Sequence, residues 1–353
     1  MTEVVSFKQV DVELHRRPVT AVVVSAAPIL FESRYRLLIG AWVRLRRSRR
    51  GRWALGASSG AGTLALAALA ARHFAAMSWP LSNGHPGLLV AAGLLLVLAQ
   101  ALKALGWGRL FAASERPTPL ALAAGNGGAA LAGMILPGRF DDAMRIAVVR
   151  RYRGCPAGVR VLCLSLVMLG LVDSAALAPL ALAGAALPNA GTVVRAGLAI
   201  VAAAGVAAAA LIAALPRLAA NRRMLRHRLG RWVNPRTTSL RRAAEAWALV
   251  SACWLVRAVA FFLVLGTLGV GYSVPLALLF LCAGAAAAAL PVGLAGAATQ
   301  IGAGGAALVA TGVSGSDAIR VAVSVGVLGV LTGTAVLVTA IVWRGAKSLL
   351  SDA

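Results

Sequence analysis

The sequence predicts an all-α polytopic membrane protein with about six to eight transmembrane helices and one or two re-entrant segments of broken helix. Three observations predict it. Of 353 residues, 60% are hydrophobic, and mean hydropathy is +0.83, whereas a soluble domain is nearer half apolar. The apolar residues gather into runs of about twenty, the length that crosses a bilayer core. Charge is concentrated between those runs and is strongly basic, with a formal net charge of +24. A soluble chain this basic would point to nucleic acid. In a polytopic chain, arginines mark cytoplasmic loops and touch anionic lipid. The basic loops hold few aromatic residues on which bases could stack, so no nucleic-acid partner is expected.

Residues 1–52 read as a cytoplasmic segment without a signal-peptide pattern. Within it, residues 36–52 mix Leu37, Leu38, Ile39 and Trp42 with arginines, as a basic amphipathic helix at the membrane surface does. The first span is expected at about 53–71 and the second at 86–105. Lys103, near the end of the second, reads as a lysine that snorkels to the interface. Residues 119–136 are apolar but interrupted by Gly125-Asn126-Gly127-Gly128.

The stretch that follows, residues 136–153, carries Arg139, Arg145, Arg150, Arg151 and Arg153 with Asp141 and Asp142. If residues 119–136 crossed completely, these arginines would face outside, against the positive-inside rule. Two half-helices bent at the glycines, entering and leaving on the cytoplasmic side, remove the conflict. Backbone of that kind is tolerated at membrane depth only inside protein or against a cavity.

Further spans are expected at 161–182, with Asp173 near the middle, at 196–215, and at 246–268, with Arg257 near the middle. Residues 217–242 form a second basic loop. Residues 274–311 are two crossings or a second bent hairpin. Pro291 interrupts them, and Thr299 and Gln300 are the larger polar side chains after it. A last span at 321–343 leads to a short cytoplasmic tail, 348–353.

Residues 53–347 thus read as one transmembrane domain. Its halves, about 53–185 and 192–345, each run span, span, glycine-broken segment, span, and each broken segment holds a Leu-Pro, at Pro137 and Pro291. The halves would be inverted, an arrangement that places a transporter-type site near the midplane.

The candidate site residues follow from this reading. Arg139 and Arg145 lie just past the bend, where a guanidinium fork suits phosphate, and Asp141 and Asp142 are close enough to hold them in place or to contact an amine headgroup. Asp173 and Arg257, each alone in its span, are expected to pair across the bundle or face a cavity. Pro137, Pro291 and Gln300 complete the set. The histidines are scattered and the cysteines lack metal or redox spacing. No phosphate-binding loop, dinucleotide fingerprint, nucleophile elbow or zinc motif stands out. No cofactor, metal or catalytic residue is expected.

The pattern Pro137-x-Arg139-x-x-Asp142-x-x-Arg145, followed by a basic segment and a span with a central acid, resembles the flippase-like transmembrane region of lysylphosphatidylglycerol synthases. That family's pattern is Pro-x-Arg-x-Gly-Glu-x-x-Arg, and here Asp141 stands for Gly and Asp142 for Glu. Of its second signature, Pro291 and Gly296 fit, while Leu294 and Ala295 depart from it. The resemblance covers about residues 53–347. It implies a stand-alone member lacking the soluble synthase domain. It also implies an anionic, aminoacylated or polyprenyl-phosphate lipid as substrate.

The expected function is a membrane lipid flippase or transporter of a bacterial inner membrane, with both termini cytoplasmic and membrane lipids as its partners. The alternatives are a membrane transferase acting on a lipid-linked sugar and a non-transporting membrane partner protein. The sequence leaves oligomeric state open, a homodimer included.

Overall fold

The computed structural model describes residues 84–135, 140–152, 155–186, 192–221, 232, 234–236, 238–289 and 296–351. All lie in one compact unit, Met77–Ala353. The amphipathic stretch at 36–52, the first expected span, Pro137, Arg139 and Pro291 fall outside the described residues.

Among the described residues there are helices and no strands. They are α1 (Pro86–Arg109), α2 (Pro119–Ile135), α3 (Phe140–Arg151), α4 (Val159–Ala186), α5 (Thr192–Ala219), α6 (Leu240–Thr267), α7 (Val274–Ala289), α8 (Gly296–Ala310) and α9 (Gly315–Ser351). Five of them, α1, α4, α5, α6 and α9, are long and apolar enough to cross a membrane. The chain is therefore an all-helical protein of multi-pass membrane type. The 24 residues of α1 extend about 36 Å at 1.5 Å each. Pro86 starts this helix, where its missing N–H costs nothing, and Arg109 sits in its last turn, where a cation meets the negative end of the helix dipole.

Helices α1 and α6 run antiparallel. At one end the His85 backbone N–H donates to Thr267 Oγ1 at 2.6 Å. At the other, Arg109 Nη1 lies 3.3 Å from Glu245 Oε2. Between these ends Gly106 lets α6 close in: a Cβ there would stand 2.9 Å from Val250 Cγ2.

Two pairs of short helices form antiparallel hairpins. In the first, Gly125 of α2 faces Val149 and Arg145 of α3, and Gly128 faces Val148 and Met144. In the second, Gly284 of α7 faces Gln300 of α8, and Gly304 faces Phe280. The first hairpin corrects the sequence reading. Helix α2 continues unbroken through Gly125–Gly128, and the chain reverses between Ile135 and Phe140. The glycines serve packing. Gly125 and Gly128, three apart and so on one face, admit α3. Gly127 turns to α9, where a Cβ would stand 2.5 Å from the Gly333 carbonyl oxygen. In membrane helices small residues hold interfaces in this way.

The remaining contacts join these units. Helix α4 packs on α5, α2 on α9, α8 on α9, and α4 on both α6 and α7. Helix α9 runs on to Ser351, so most of the expected tail 348–353 is helical. Arginine is unevenly placed. Arg109, Arg116, Arg150, Arg151, Arg217, Arg236, Arg241 and Arg242 lie at the end of the bundle where α1 stops and α2 starts, and the opposite end carries Arg195 and Arg320. At the basic end Arg236 Nη2 binds Glu115 Oε1 at 2.9 Å. Burial, with Arg109 and Arg242 nearby, lowers the pKa of the Arg116 guanidinium from its ordinary value.

Candidate functional site

A cavity of about 770 Å³ lies between the hairpins and the long helices, in the size range of small-ligand sites. It is bordered by every described helix except α5. All five described residues of the expected set border it: Asp142, Arg145, Asp173, Arg257 and Gln300. Gln100, Lys103, Asn126, Asp141 and Trp254 border it too.

Asp173 does not pair with Arg257. Its Oδ2 lies 2.8 Å from Lys103 Nζ, and both side chains are largely buried. The Trp254 indole N–H donates to the other carboxylate oxygen at 3.2 Å. Arg257 instead sits over the Trp254 ring, 5.0 Å from its centroid. It makes no ion pair among the described residues. Lys103 lies 5.7 Å from the same ring, so Trp254 holds two cations by its π-face and an acid by its N–H. The sequence reading placed Lys103 at a helix end. Helix α1 runs six residues further, to Arg109, which puts the lysine about 9 Å inside the helix and beyond an easy reach to water.

Arg145 is flanked by Asp142 and Trp107. Its Nη1 lies 2.9 Å from Asp142 Oδ1, one turn earlier on α3. Its guanidinium stands 5.9 Å from the Trp107 ring centroid. The Arg145 Nε is buried and has no hydrogen-bond partner. Trp107 is held in turn by its indole N–H, which donates to Ser165 Oγ at 2.9 Å.

Asn126 is the residue that sequence reasoning missed. It is 3% exposed, and neither Oδ1 nor Nδ2 of its amide has a hydrogen-bond partner. The Gly-Asn-Gly-Gly run drew attention as a break in a helix. As a continuous helix it carries Asn126, Ala129, Ala130 and Gly133 on one stripe, and all four border the cavity. The signal was present in the spacing of three and four residues once helix was assumed.

The lining therefore carries three cations (Lys103, Arg145, Arg257) and three carboxylates (Asp141, Asp142, Asp173). Two of the cations are already paired with two of the acids, and the guanidinium of Arg257 rests on a ring. No group of three or more metal-binding side chains occurs among the described residues.

Comparison with known proteins returns no relative: no family model, no curated protein and no solved structure matches the chain.

Proposed function

We propose that this chain is a lipid flippase that takes the headgroup of a phosphate-bearing lipid into the cavity while the acyl chains remain in the bilayer. The observation that carries this reading is the cavity itself, framed by two helical hairpins and edged by Arg145 and Arg257. Ionisable groups within membrane-crossing helices are costly, and they mark substrate paths more often than they serve packing alone. Arg257, without an acid partner among the described residues, is the group prepared for an anion. Arg145, paired at one nitrogen with Asp142, offers further N–H donors to the same phosphate.

Both hairpins are read as re-entrant. Helices α2 and α3 contain 17 and 12 residues, and α7 and α8 contain 16 and 15. All four are shorter than the roughly 20 residues needed to span. With the arginine-rich end of the bundle cytoplasmic, the first hairpin enters from the cytoplasm and the second from the opposite face. The halves then form an inverted repeat in which α1, α2, α3 and α4 correspond to α6, α7, α8 and α9. The antiparallel pairing of α1 with α6 is what such a repeat requires at its axis. This reading keeps the flippase-like transmembrane region of lysylphosphatidylglycerol synthases as the nearest analogy, on the motif from Pro137 to Arg145. It places the chain in a bacterial inner membrane with a cytoplasmic C-terminus.

The test is reconstitution of the full chain into liposomes holding fluorescent phosphatidylglycerol, phosphatidylethanolamine or a polyprenyl phosphate. Accelerated loss of inner-leaflet protection from an impermeant quencher for at least one of these, reduced at least tenfold by Arg257→Gln, is expected. Unchanged bilayer asymmetry with all three removes the proposal.

A further inference from the structure

Among the described residues that border the cavity, those left exposed are Cys163, Val167 and Gly170. All three belong to α4, and their spacing of four and three puts them on one face. Val167 is 64% exposed, and a Cβ added at Gly170 would meet nothing within 4 Å. Ser174 continues the stripe and borders the cavity too. Its hydroxyl donates to the Gly170 carbonyl at 3.0 Å. Further along the same face, Ala178 and Ala181 are buried. The cavity wall is therefore open along one half of α4 and closed along the other.

The open half is the one at the basic end of the bundle. Helix α3 ends at Arg151 at that end, and α4 starts shortly after it, at Val159. At 1.5 Å per residue Cys163 lies about 6 Å into α4, Ser174 about 22 Å and Ala178 about 28 Å. The 28 residues of α4 extend about 42 Å, so the opening stops near the middle of the helix and faces a single leaflet.

We propose that this face of α4 is a lateral opening in which the acyl chains of a phospholipid lie while its headgroup occupies the cavity. This rests on the flippase reading above, which makes the open leaflet the cytoplasmic one, and it adds where the lipid enters. Size, chemistry and continuity select the occupant. A cavity of about 770 Å³ suits a ligand of headgroup size, and two acyl chains are too bulky to share it. The edge is apolar: Leu166 and Leu171 flank Val167 on the cavity wall, and the Ser174 hydroxyl is spent on its own helix. A polar ligand would lose hydrogen bonds to water there, and a hydrocarbon chain loses none. The opening is continuous with the charged interior. Asp173, three residues after Gly170, faces inward to Lys103, and Asp142 and Arg145 of α3 border the same cavity. A headgroup drawn to these charges leaves its chains at the α4 edge.

The experiment measures flipping of fluorescent phosphatidylglycerol and phosphatidylethanolamine by the reconstituted full chain, with bulk added at the opening. Gly170→Trp and Val167→Trp are each expected to slow flipping at least tenfold, Gly170→Leu less, and Gly170→Ala by no more than about twofold. The control is Leu182→Trp, on the closed half of α4 at a position that is exposed and away from the cavity. It is expected to flip lipid as the wild type does. Unfolding midpoints in detergent are expected to match the wild type for all five variants, because the added side chains enter open space. Flipping that is unaffected by Gly170→Trp and Val167→Trp, or slowed equally by Leu182→Trp, overturns the opening and leaves the flippase intact. A dimer in detergent that Val167→Trp dissociates assigns the face to a second copy of the chain and also overturns it. Transport of neither lipid by the wild type overturns the acyl-chain assignment. Transport of polyprenyl phosphate in its place keeps the flippase reading, and transport of none of the three removes both.

Discussion

At the scale of single residues, the site is held together by a few strong local interactions. Lys103 and Asp173 are charges inside two apolar helices, 2.8 Å apart. Removing one partner strands the other, and the cost of breaking a buried pair is about 3–5 kcal/mol. Lys103→Met is therefore expected to lower the unfolding midpoint in detergent sharply, and Asp173→Leu to do the same. The double variant Lys103→Met with Asp173→Leu is expected to recover most of that loss, since matched apolar side chains replace a buried pair at little cost. A double variant as unstable as the sum of the singles would mean that the two residues do not act as a pair. Trp254 links this pair to Arg257. Trp254→Phe keeps a ring under both cations and loses the N–H to Asp173. A stability loss of about 1 kcal/mol is expected, against a larger one for Trp254→Leu, measured by the same unfolding scan. The sequence reached Asp173 and Arg257 because isolated charges in apolar runs are conspicuous. Of the two expected arrangements, pairing with each other or facing a cavity, the pairing does not form, because Asp173 takes Lys103, which lay near an expected helix end, the least certain feature of such a reading.

At the scale of elements, the long helices were legible, and the two hairpins were legible as interruptions. Runs of apolar residues locate α1, α4, α5, α6 and α9, because length and hydropathy alone mark a span, although the helices run past the expected bounds by up to eight residues, at the end of α9. What the sequence misplaced was the reversal in the first hairpin. Four consecutive residues of Gly-Asn-Gly-Gly have low helix propensity in water, whereas here the lost propensity is offset by close packing on α3 and α9. Gly127→Leu is expected to destabilise the fold by about 1–3 kcal/mol through overpacking against Gly333 and Leu337. Gly170→Leu, at a position with no neighbour within 4 Å, is expected to change the unfolding midpoint little. Under the re-entrant reading the hairpin also predicts sidedness. Because α2 and α3 are antiparallel, Ser114 before them and Cys155 after them belong to the same side. A cysteine at position 114, in a chain whose Cys163, Cys253 and Cys282 are replaced, and the native Cys155 are both expected to react with an impermeant maleimide from the cytoplasmic side. Labelling from opposite sides would mean that residues 119–152 cross the membrane.

At the scale of the whole molecule, the contacts between helices have a regularity that no single element shows. Exchange α1 with α6, α2 with α7, α3 with α8 and α4 with α9. The packing of α1 on α2 becomes α6 on α7, α1 on α9 becomes α6 on α4, and α8 on α9 becomes α3 on α4; all of these occur. The exchange is not perfect, and under the proposed flippase reading the imperfection would carry the mechanism. Helix α2 is sealed on α9 through Gly127 and Gly333, and the Tyr152 hydroxyl after α3 donates to the Ala340 carbonyl at 3.0 Å. The corresponding contact of α7 on α4 has no such glycine-to-backbone seam among the described residues. In an inverted repeat, two arrangements that differ by which half is sealed are close in energy, and alternating between them moves access from one face to the other. Locking the α2–α9 seam should therefore stop transport. The pair Ala130→Cys with Gly333→Cys fits: a Cβ on Gly333 would stand 2.7 Å from Ala130 Cβ, and separating the helices by about 1 Å reaches the usual disulfide spacing. The control is Gly106→Cys with Leu249→Cys, across the α1–α6 contact on the axis, where a Cβ on Gly106 would stand 3.4 Å from Leu249 Cβ. In a background without native cysteines, oxidation of the first pair is expected to abolish lipid flipping and reduction to restore it. Oxidation of the axial pair is expected to leave flipping within about twofold of the reduced protein, since helices on the axis keep their contact in both states. Undiminished flipping with the α2–α9 seam cross-linked would show that lipid moves without the halves exchanging.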